Sequence, residues 1–343
     1  MMDIDFLFQL LNESGVSGNE VSVLNLCREK VAGKCEISND RIGNLYAKIN
    51  SNESAIATRI LIEAHIDEIG FQVTYIDNDG YVYIRPCGGI DGVTLIGSFV
   101  EIQCRYGSLT GVVGRKPVHL MKGDEKNKLP DCDSVWIDTG LDANTIKKKV
   151  RIGDYVSFNP NAHLLGEMRV TSKAIDNRVG AFILTQIIDK LSTIYNKQIT
   201  FAFTTQEELG CKGGAVVACG EPYDYVICID AAFSSDVPDI SPRVVGDIRL
   251  GEGAVVYRNG DVDRNFVEQI LSVAQNHNLK IQLSANYAAS GGTNTRNMQL
   301  TGTGNITATI GYPVRYMHTP VSMADLRDID TIVNLIIRIL EEL

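Results

Sequence analysis

The sequence predicts an α/β fold with an inserted, strand-rich segment, and three observations support this prediction. Residues 199–203 form a short β-branched and aromatic run that is typical of a buried strand, and two adjacent glutamates follow its end. Helical and strand-like patterns alternate in both outer parts of the chain. Residues 70–165 instead carry strand-like runs and turn signals with few helical patterns. We therefore expect one α/β domain from residues 1–69 and 166–343, with a small β-barrel or sandwich inserted at 70–165.

The composition narrows the class of protein and its partners. The chain has 343 residues, of which 44% are apolar and 22% are charged, as in an ordinary globular protein. Its 32 basic and 42 acidic residues give a net charge of −10, which argues against nucleic acid and anionic membranes as partners. No run approaches the roughly 18 unbroken apolar residues of a membrane span. The acidic start lacks the features of a signal peptide, and the cysteines form no CxxC pair, so we expect a cytoplasmic protein with reduced thiols.

The first elements of the α/β part are two helices and a strand. Residues 4–13 and 21–34 have apolar side chains at helical spacing, which predicts amphipathic helices. Residues 59–70 predict a strand in which His65 and Asp67 lie two residues apart and therefore on one face. A lone histidine in a strand usually packs in the core. A carboxylate beside an imidazole is also the arrangement that orients a metal-ligating ring and raises its basicity.

The inserted segment is predicted to be mostly β-structure. Two histidines, His119 and His163, fall within it. No carboxylate cluster accompanies either of them, so both are interpreted as loop or packing residues. The strand-like runs, separated by turn signals, lie at 71–76, 81–84, 99–104 and 155–158.

The α/β pattern resumes after the inserted segment. Asp176 stands where a helix N-cap belongs, which is the ordinary structural role for an aspartate there. Residues 225–229 predict a buried strand with Asp230 at its carboxyl end. A further helix is expected at 262–276, and His318 lies in a loop before the final amphipathic helix.

The glutamate pair lies where the strand at 199–203 is expected to end. On extended backbone, neighbouring side chains point to opposite faces, so we expect Glu207 and Glu208 to have different tasks. One carboxylate would bind a metal while the other faces a reacting water. An isolated pair of this kind is more often a solvated acidic turn. Cys211, three residues further on, is interpreted as a small buried hydrophobic residue.

The acidic residues and histidines form a set when they are placed on this predicted fold. In an open α/β sheet, sites form in the crevice outside the carboxyl ends of the strands. Histidines and carboxylates together suit a divalent ion such as Zn²⁺, Co²⁺ or Mn²⁺, and there are enough carboxylates for two ions with a bridging ligand. The candidate residues are His65, Asp176, Glu207, Glu208, Asp230 and His318.

Five segments resemble one known family. The chain is similar to the co-catalytic metallo-aminopeptidases of the tetrahedral (TET) type, which include glutamyl and deblocking aminopeptidases and relatives once described as cellulases or endoglucanases. The resemblance runs in order along nearly the whole chain. The segments are AHIDEIG (64–70), KAIDNRVG (173–180), TTQEELGCKGG (204–214), CIDAA (228–232) and PVRYMHTP (313–320).

The resemblance implies a fold, an activity and an assembly. The fold is a phosphorylase/hydrolase-like, mixed-sheet α/β catalytic domain at 1–69 and 166–343, with an inserted small β-barrel at 70–165 that serves oligomerisation and substrate access. Members of the family remove N-terminal residues from peptides and use two divalent metal ions per chain, of which Zn or Co is expected here and Mn is a further option. They form homo-oligomers of up to twelve subunits.

The resemblance also implies a role for each candidate residue. Asp67 would support His65, and Glu207 would be the general base. Two metal positions would share one ligand. His65, Asp176 and Asp230 would bind one ion, and Asp176, Glu208 and His318 would bind the other.

One position departs from the family pattern. The family usually has Gly-Gly-Thr-Asp in the loop before the last strand, whereas this chain has Gly291-Gly292-Thr293-Asn294. The departure leaves every implied ligand in place. It bears on the substrate preference near the peptide's amino end and on the level of activity.

Three alternatives remain open. A glycosidase could use the glutamate pair as acid and nucleophile, although adjacent strand residues would point apart and the histidines would have no task. A related metal-dependent amide hydrolase, such as a carboxypeptidase or deacylase, would need the same ligands. A non-enzymatic assembly protein could merely retain the site.

Overall fold

The computed structural model describes residues 2–50, 58–191, 197–285 and 292–343. These residues form two sheets and one closed barrel, with helices against the larger sheet. The mixed α/β architecture predicted from the sequence, including the barrel, is therefore confirmed. Ser290 and Gly291 of the glycine-rich turn lie outside the described residues.

The helices in the described parts of the chain include both expected N-terminal helices and the final amphipathic helix. They are α1 (Ile4–Asn12), α2 (Val21–Val31), α3 (Ala143–Lys149), α4 (Ile175–Lys190), α5 (Lys212–Gly220), α6 (Pro242–Val245), α7 (Arg264–Asn276), α8 (Asn294–Gln299) and α9 (Leu326–Glu342). Short 3-10 helices occur at Gly92–Thr94, Val118–Leu120, Gly123–Lys126 and Cys132–Ser134.

The strands follow in chain order. They are β1 (Glu36–Asn39), β2 (Leu45–Ile49), β3 (Thr58–His65), β4 (Gly70–Ile76), β5 (Val82–Cys87), β6 (Phe99–Cys104), β7 (Gly107–Gly114), β8 (Trp136–Asp138), β9 (Tyr155–Phe158), β10 (His163–Leu165), β11 (Arg169–Ser172), β12 (Lys197–Thr204), β13 (Tyr225–Phe233), β14 (Ala254–Tyr257), β15 (Ile281–Ser284), β16 (Thr307–Val314) and β17 (Ser322–Asp325).

The central sheet has eight strands in the order β1-β2-β12-β3-β13-β16-β14-β15. Its middle strands β12, β3, β13 and β16 are parallel neighbours, whereas β2 pairs antiparallel with β12 and β14 pairs antiparallel with β16. The parallel middle strands have nearly continuous buried runs, as expected for strands that are covered on both faces. Their carboxyl ends therefore meet at one edge of the sheet.

Side-chain alternation along β3 divides the two faces of this sheet. Ile60 and Ile62 pack into the main core, which also contains apolar residues of α1, α4, α7 and α9. Leu61 packs on the opposite face with Val217 of α5 and Met298 of α8. Because successive strand residues alternate, His65 at the end of β3 lies on the face of Leu61, under α5 and α8.

The barrel closes in the order β4-β5-β8-β7-β6-β9 and has its own apolar core, which includes Phe71, Val100 and Phe158. The remaining sheet has the order β10-β11-β17, so β10 pairs with a strand outside the segment 70–165. The division of the chain into domains at residues 69/70 and 165/166 stays a prediction. Among the described residues, no helix combines the length and apolar character that a bilayer crossing requires.

Candidate metal centre

A cavity of about 350 Å³ opens at the carboxyl edge of the central sheet. The structure brings six of the predicted site residues to its wall, although they are scattered over more than 250 positions in sequence. The seventh, Asp67, is fully buried behind His65. The six residues at the wall are His65, Asp176, Glu207, Glu208, Asp230 and His318.

The first cluster surrounds the ring of His65. Its Nε2 atom lies 3.2 Å from Asp176 Oδ1 and 3.6 Å from Asp230 Oδ1. His65 ends β3, whereas Asp230 lies within β13, which continues to Phe233 instead of ending at Asp230 as expected. These three residues present ligand atoms within 4.8 Å of one another, close enough to hold one metal ion.

The second cluster surrounds His318. Its Nε2 atom lies 3.5 Å from Asp176 Oδ2 and 3.4 Å from Glu208 Oε1. These three residues form a second group whose ligand atoms lie within 4.8 Å of one another. Asp176 directs one carboxylate oxygen to each cluster, which is the geometry of a bridging ligand.

The remaining polar contacts of this site fit a metal ion. Asp176 Oδ1 is buried and has no hydrogen-bond partner within the described residues. The Nδ1 atom of His318 lies 2.7 Å from the carbonyl of Gly89, and Nδ1 of His65 lies 3.2 Å from the carbonyl of Asp67. A carbonyl accepts a hydrogen bond, so Nδ1 of each ring carries a proton and Nε2 is the atom left to bind a metal.

Burial and nearby negative charges shift the pKa values of the acidic residues in this site. Burial raises the pKa of Glu207 to about 8, and it also raises the pKa of Glu208 and Asp230 above the usual range, with nearby carboxylates adding to the effect. Burial would lower the pKa of His318, but Asp176 and Glu208 outweigh it and raise the value to about 9. A divalent cation would relieve this repulsion, because carboxylates beside a positive charge ionise readily.

Asp176 is held by the backbone around it and is not a helix N-cap. The flanking residue of α4 is Ala174, and Asp176 has non-helical backbone angles (φ −78°, ψ 110°) within a kinked first turn. The next residue, Asn177, follows a cis peptide bond and is buried. Its Oδ1 accepts from the hydroxyl of Tyr312 at 2.7 Å, and its Nδ2 donates to the carbonyl of Ile229 at 2.8 Å. These bonds tie Asp176 to the two strands beside it.

The predicted geometry of the glutamate pair is wrong. Strand β12 ends at Thr204, and the pair lies in a turn that begins at Gln206, which has a φ of +56°. Extended-strand alternation does not apply in this turn, and both carboxylates reach the same cavity. His65, Glu207 and Glu208 form a third group that could hold a metal. The two carboxylates therefore do not point apart, and this observation no longer counts against a glycosidase.

Asp67 positions the turn as well as the histidine. Its Oδ1 accepts the backbone N–H of Glu207 and its Oδ2 that of Glu208, each at 3.0 Å. The same carboxylate lies 3.4 Å from His65 Nδ1. Burial would raise the pKa of Asp67, but His65 and the two N–H donors outweigh it and lower the value. One buried carboxylate thus fixes the histidine and both glutamates relative to each other.

Glu207 also has a partner that the sequence interpretation missed. The thiol of Cys211 donates to Glu207 Oε1 at 3.0 Å, whereas Glu207 Oε2 lies 3.9 Å from His65 Nε2. Cys211 is buried, as expected, but it also lines the cavity. Burial and the charge of Glu207 raise the pKa of the Cys211 thiol, so it remains a neutral donor.

Other residues are placed away from this cavity. His119 and His163 are exposed, and neither lines it. Asn294, at the position where the family pattern has aspartate, is buried beneath the cavity and hydrogen-bonds to Glu63. Gly292 and Thr293, directly before it, do line the cavity. The side chain of Asn294 is therefore not placed to contact a substrate.

The chain is similar in sequence and in fold to known aminopeptidases. Residues 43–335 match the model of the M42 glutamyl aminopeptidase family. Lysyl aminopeptidase of Pyrococcus furiosus is 29% identical over 349 residues, covering 100% of this chain and 98% of that protein. Aminopeptidase APDkam598 of the archaeon Desulfurococcus kamchatkensis superposes with a TM-score of 0.92 at 29% identity, over 99% of this chain and 94% of that one. Pyrococcus horikoshii TET1 peptidase, which can assemble into a tetrahedron or a large octahedral shell, has a TM-score of 0.88 at 28% identity, over 99% of both chains.

Proposed function

The chain belongs to the M42 glutamyl aminopeptidase family and is a peptide hydrolase, and from this premise we propose that it is a dinuclear-metal-dependent aminopeptidase. It would remove N-terminal residues from peptides. The observation that carries the proposal is the position of Asp176, whose two carboxylate oxygens face His65 and His318 respectively. A single carboxylate between two histidine-containing clusters is the arrangement that two adjacent metal ions need.

The proposed ligands are the two clusters around Asp176. His65 and Asp230 complete the first cluster, and Glu208 and His318 complete the second. Their mixture of imidazole nitrogen and carboxylate oxygen suits Zn²⁺ or Co²⁺, and also Mn²⁺. Two divalent ions held there would lower the pKa of a bound water and polarise the scissile carbonyl.

Glu207 is the proposed general base. Its Oε1 is held by the thiol of Cys211, which leaves Oε2 facing the cavity. In the proposed reaction, this oxygen takes a proton from the attacking water. Glu207 then delivers the proton to the amine that leaves the peptide. Asp67 keeps Glu207 in place through the backbone N–H bond at 3.0 Å.

The histidines favour this proposal over a glycosidase. Both direct Nε2 toward carboxylates in the cavity, and a two-carboxylate sugar hydrolysis has no task for them. A carboxypeptidase or deacylase would use the same metal ligands and differs only in which end of the substrate is bound. We infer an aminopeptidase because the family model and the relatives named above are aminopeptidases.

We also propose that residues 70–165 form an inserted domain that serves assembly into a homo-oligomer and access to the site. The barrel carries none of the proposed ligands and exposes large side chains, including Tyr75 (55%), Phe99 (58%) and Tyr106 (85%). Gly89, within the same segment, lines the cavity and accepts from His318. The Pyrococcus horikoshii TET1 peptidase can assemble into a tetrahedron or a large octahedral shell.

The test is a substrate panel on the metal-stripped and reloaded protein. The chelated protein should be inactive, and Zn²⁺, Co²⁺ or Mn²⁺ should restore hydrolysis of aminoacyl p-nitroanilides and free peptides. N-terminally blocked peptides should resist cleavage, and C-terminal amidation should have no effect. Cleavage of blocked peptides from the C-terminus, or hydrolysis of cellulose that survives chelation, would overturn the proposal. A monomer seen by light scattering at micromolar concentration and full metal loading would overturn the proposed assembly.

A further inference from the structure

A buried carboxylate beneath the cavity has no task in the mechanism described above. Glu63 lies in β3 and is only 1% exposed. It is on the same face as Leu61, which packs in an apolar cluster. Burial of a carboxylate in such surroundings is costly unless hydrogen bonds compensate for the lost water. The partners of Glu63 therefore indicate why it is there.

Glu63 accepts two of the three hydrogen bonds in a closed set. The hydroxyl of Thr204 donates to Glu63 Oε1 at 2.5 Å, and Nδ2 of Asn294 donates to the same oxygen at 2.6 Å. Asn294 Nδ2 also lies 3.0 Å from Thr204 Oγ1, to which it donates its second proton. Thr204 ends β12 and Asn294 begins α8, so one carboxylate joins the end of a strand to the start of a helix. Glu63 has no Lys or Arg partner in the described chain.

The residues directly before Asn294 form part of the cavity wall. Gly292 and Thr293 line the cavity, while Asn294 is 2% exposed and points away from it. The space around Asn294 is tight, because a Cβ at Gly214 of α5 would lie 2.4 Å from Asn294 Oδ1. Asn294 cannot shift toward α5, and its amide is held by Glu63 on the other side. The position of the 292–293 wall thus depends on the bond between Glu63 and Asn294.

We propose that Glu63 and Asn294 are a matched pair of positioning residues, which set the 292–293 wall against which the peptide substrate binds. The inference rests on the proposed function, because it assigns the wall to peptide binding. It also explains the amide at position 294. An aspartate there would have no N–H to donate, so the bonds to Glu63 and to Thr204 would both be lost.

The proposal is tested by exchanging the carboxylate at position 63 and the amide at position 294. Asn294→Asp removes the donor amide and leaves two acceptor groups facing each other, so it should lower kcat/KM about tenfold or more, mainly through a higher KM. Glu63→Gln keeps an acceptor oxygen for Asn294 and should stay within about threefold of the wild type. The double variant Glu63→Gln/Asn294→Asp pairs an amide with a carboxylate again. It should return to within about threefold of Glu63→Gln alone, a coupling that independent sites do not show.

Controls separate positioning from general damage. Bound metal, measured by elemental analysis, should be equal in all variants because no proposed ligand is changed. If Asn294→Asp does not fold, Asn294→Ala and Thr204→Val remove bonds without adding charge, and each should raise KM more than it lowers kcat. The inference is overturned if the double variant is no better than Asn294→Asp, if Asn294→Asp behaves as the wild type, or if kcat alone falls.

The outcome is independent of whether the proposed function is correct. Midpoints of thermal unfolding for the wild type, both single variants and the double variant give the coupling of the pair without any activity. If the pair is coupled but the protein hydrolyses no peptide, the proposed function is refuted, and so is the assignment of the 292–293 wall to peptide binding. If the protein is an active aminopeptidase but neither the kinetics nor the unfolding midpoints show coupling, only the proposed pairing of Glu63 with Asn294 is refuted.

Discussion

The thiol of Cys211 lies 3.0 Å from Glu207 Oε1 and donates a hydrogen bond to it. The bond occupies one of the two carboxylate oxygens, so the other is the one available in the cavity. It crosses the turn between the end of β12 and the start of α5, where Cys211 has a φ of +54°. The proposed base is thus held from two sides, by this thiol and by its own backbone N–H on Asp67.

Replacement of Cys211 should separate the hydrogen bond from simple packing. Cys211→Ala removes the donor, and we expect kcat to fall about three- to tenfold with little change in KM, because a hydrogen bond to a charged group is lost. Cys211→Ser keeps a donor and should stay closer to the wild type. Steady-state kinetics on one peptide substrate check this. Equal losses in both variants would mean that the volume of the sulfur matters and its proton does not.

Glu207→Gln should abolish general-base catalysis while the fold remains. The amide keeps the shape of the side chain and lacks the basic oxygen, so kcat should fall by roughly 10²–10⁴ while KM changes far less. The matched control is Glu208→Gln, which should weaken one metal position and recover in part when metal is added. If Glu208→Gln lowers kcat and Glu207→Gln weakens metal binding, Glu208 is the general base and Glu207 is the metal ligand. Normal peptide hydrolysis in both variants would refute the assignments.

Asp176→Ala should reduce the occupancy of both metal positions together. Its oxygens lie 3.2 Å from His65 Nε2 and 3.5 Å from His318 Nε2, so its loss removes a ligand from each cluster. Elemental analysis after loading should approach two ions per wild-type chain and fall well below that number in the variant. Asp133→Ala, at an exposed site in the inserted segment, is the control and should load normally. Full metal content and activity in Asp176→Ala would show that the site is misassigned.

Metal binding should strengthen as the pH rises toward 9. Without metal, the neighbouring carboxylates raise the pKa of His318 to about 9 against the opposing effect of burial, so at pH 7 the ring is protonated and must lose a proton to bind a metal. The raised pKa stabilises the metal-free fold below the unfolded value of about 6.5, and this stabilisation is lost as the pH rises through about 9.

Titration calorimetry with Zn²⁺ in buffers of different ionisation enthalpy measures the protons released. At pH 7 the wild type should release at least about one proton more than His318→Gln, while His163→Gln, with an exposed histidine outside the cavity, should match the wild type. Zinc binding that is independent of pH between 6 and 9 would contradict the prediction.

Periodicity and local composition predicted most of the elements that carry this site. The strand predicted at 59–70 corresponds to β3, although β3 ends at His65 and Asp67 lies beyond it, and the buried run before the glutamates correctly indicated β12. The turn after β12 could not be predicted in the same way. Where the strand ends depends on its pairing with β2 and β3, and the register of those pairs is set by the whole sheet.

Contacts between distant parts of the chain could not be predicted from the sequence either. His318 is held by Gly89, 229 positions away, and Asn294 by Glu63, 231 positions away. A glycine carbonyl has no sequence signature, because every residue has a carbonyl group. Asp176 lies near the start of a helix, as expected. Its backbone is not helical, however, so the N-cap interpretation is wrong.

The hydrogen bond between Gly89 and His318 would couple the proposed assembly to the proposed binding of metal. Gly89 belongs to the inserted segment, whereas His318 is a proposed ligand from the other part of the chain. If packing between subunits steadies the turn at Gly89, it raises the affinity of the second metal position. Thermodynamic reciprocity then requires that an ion at that position favours assembly by the same free energy. Removal of metal would consequently weaken the proposed assembly as well as the proposed activity.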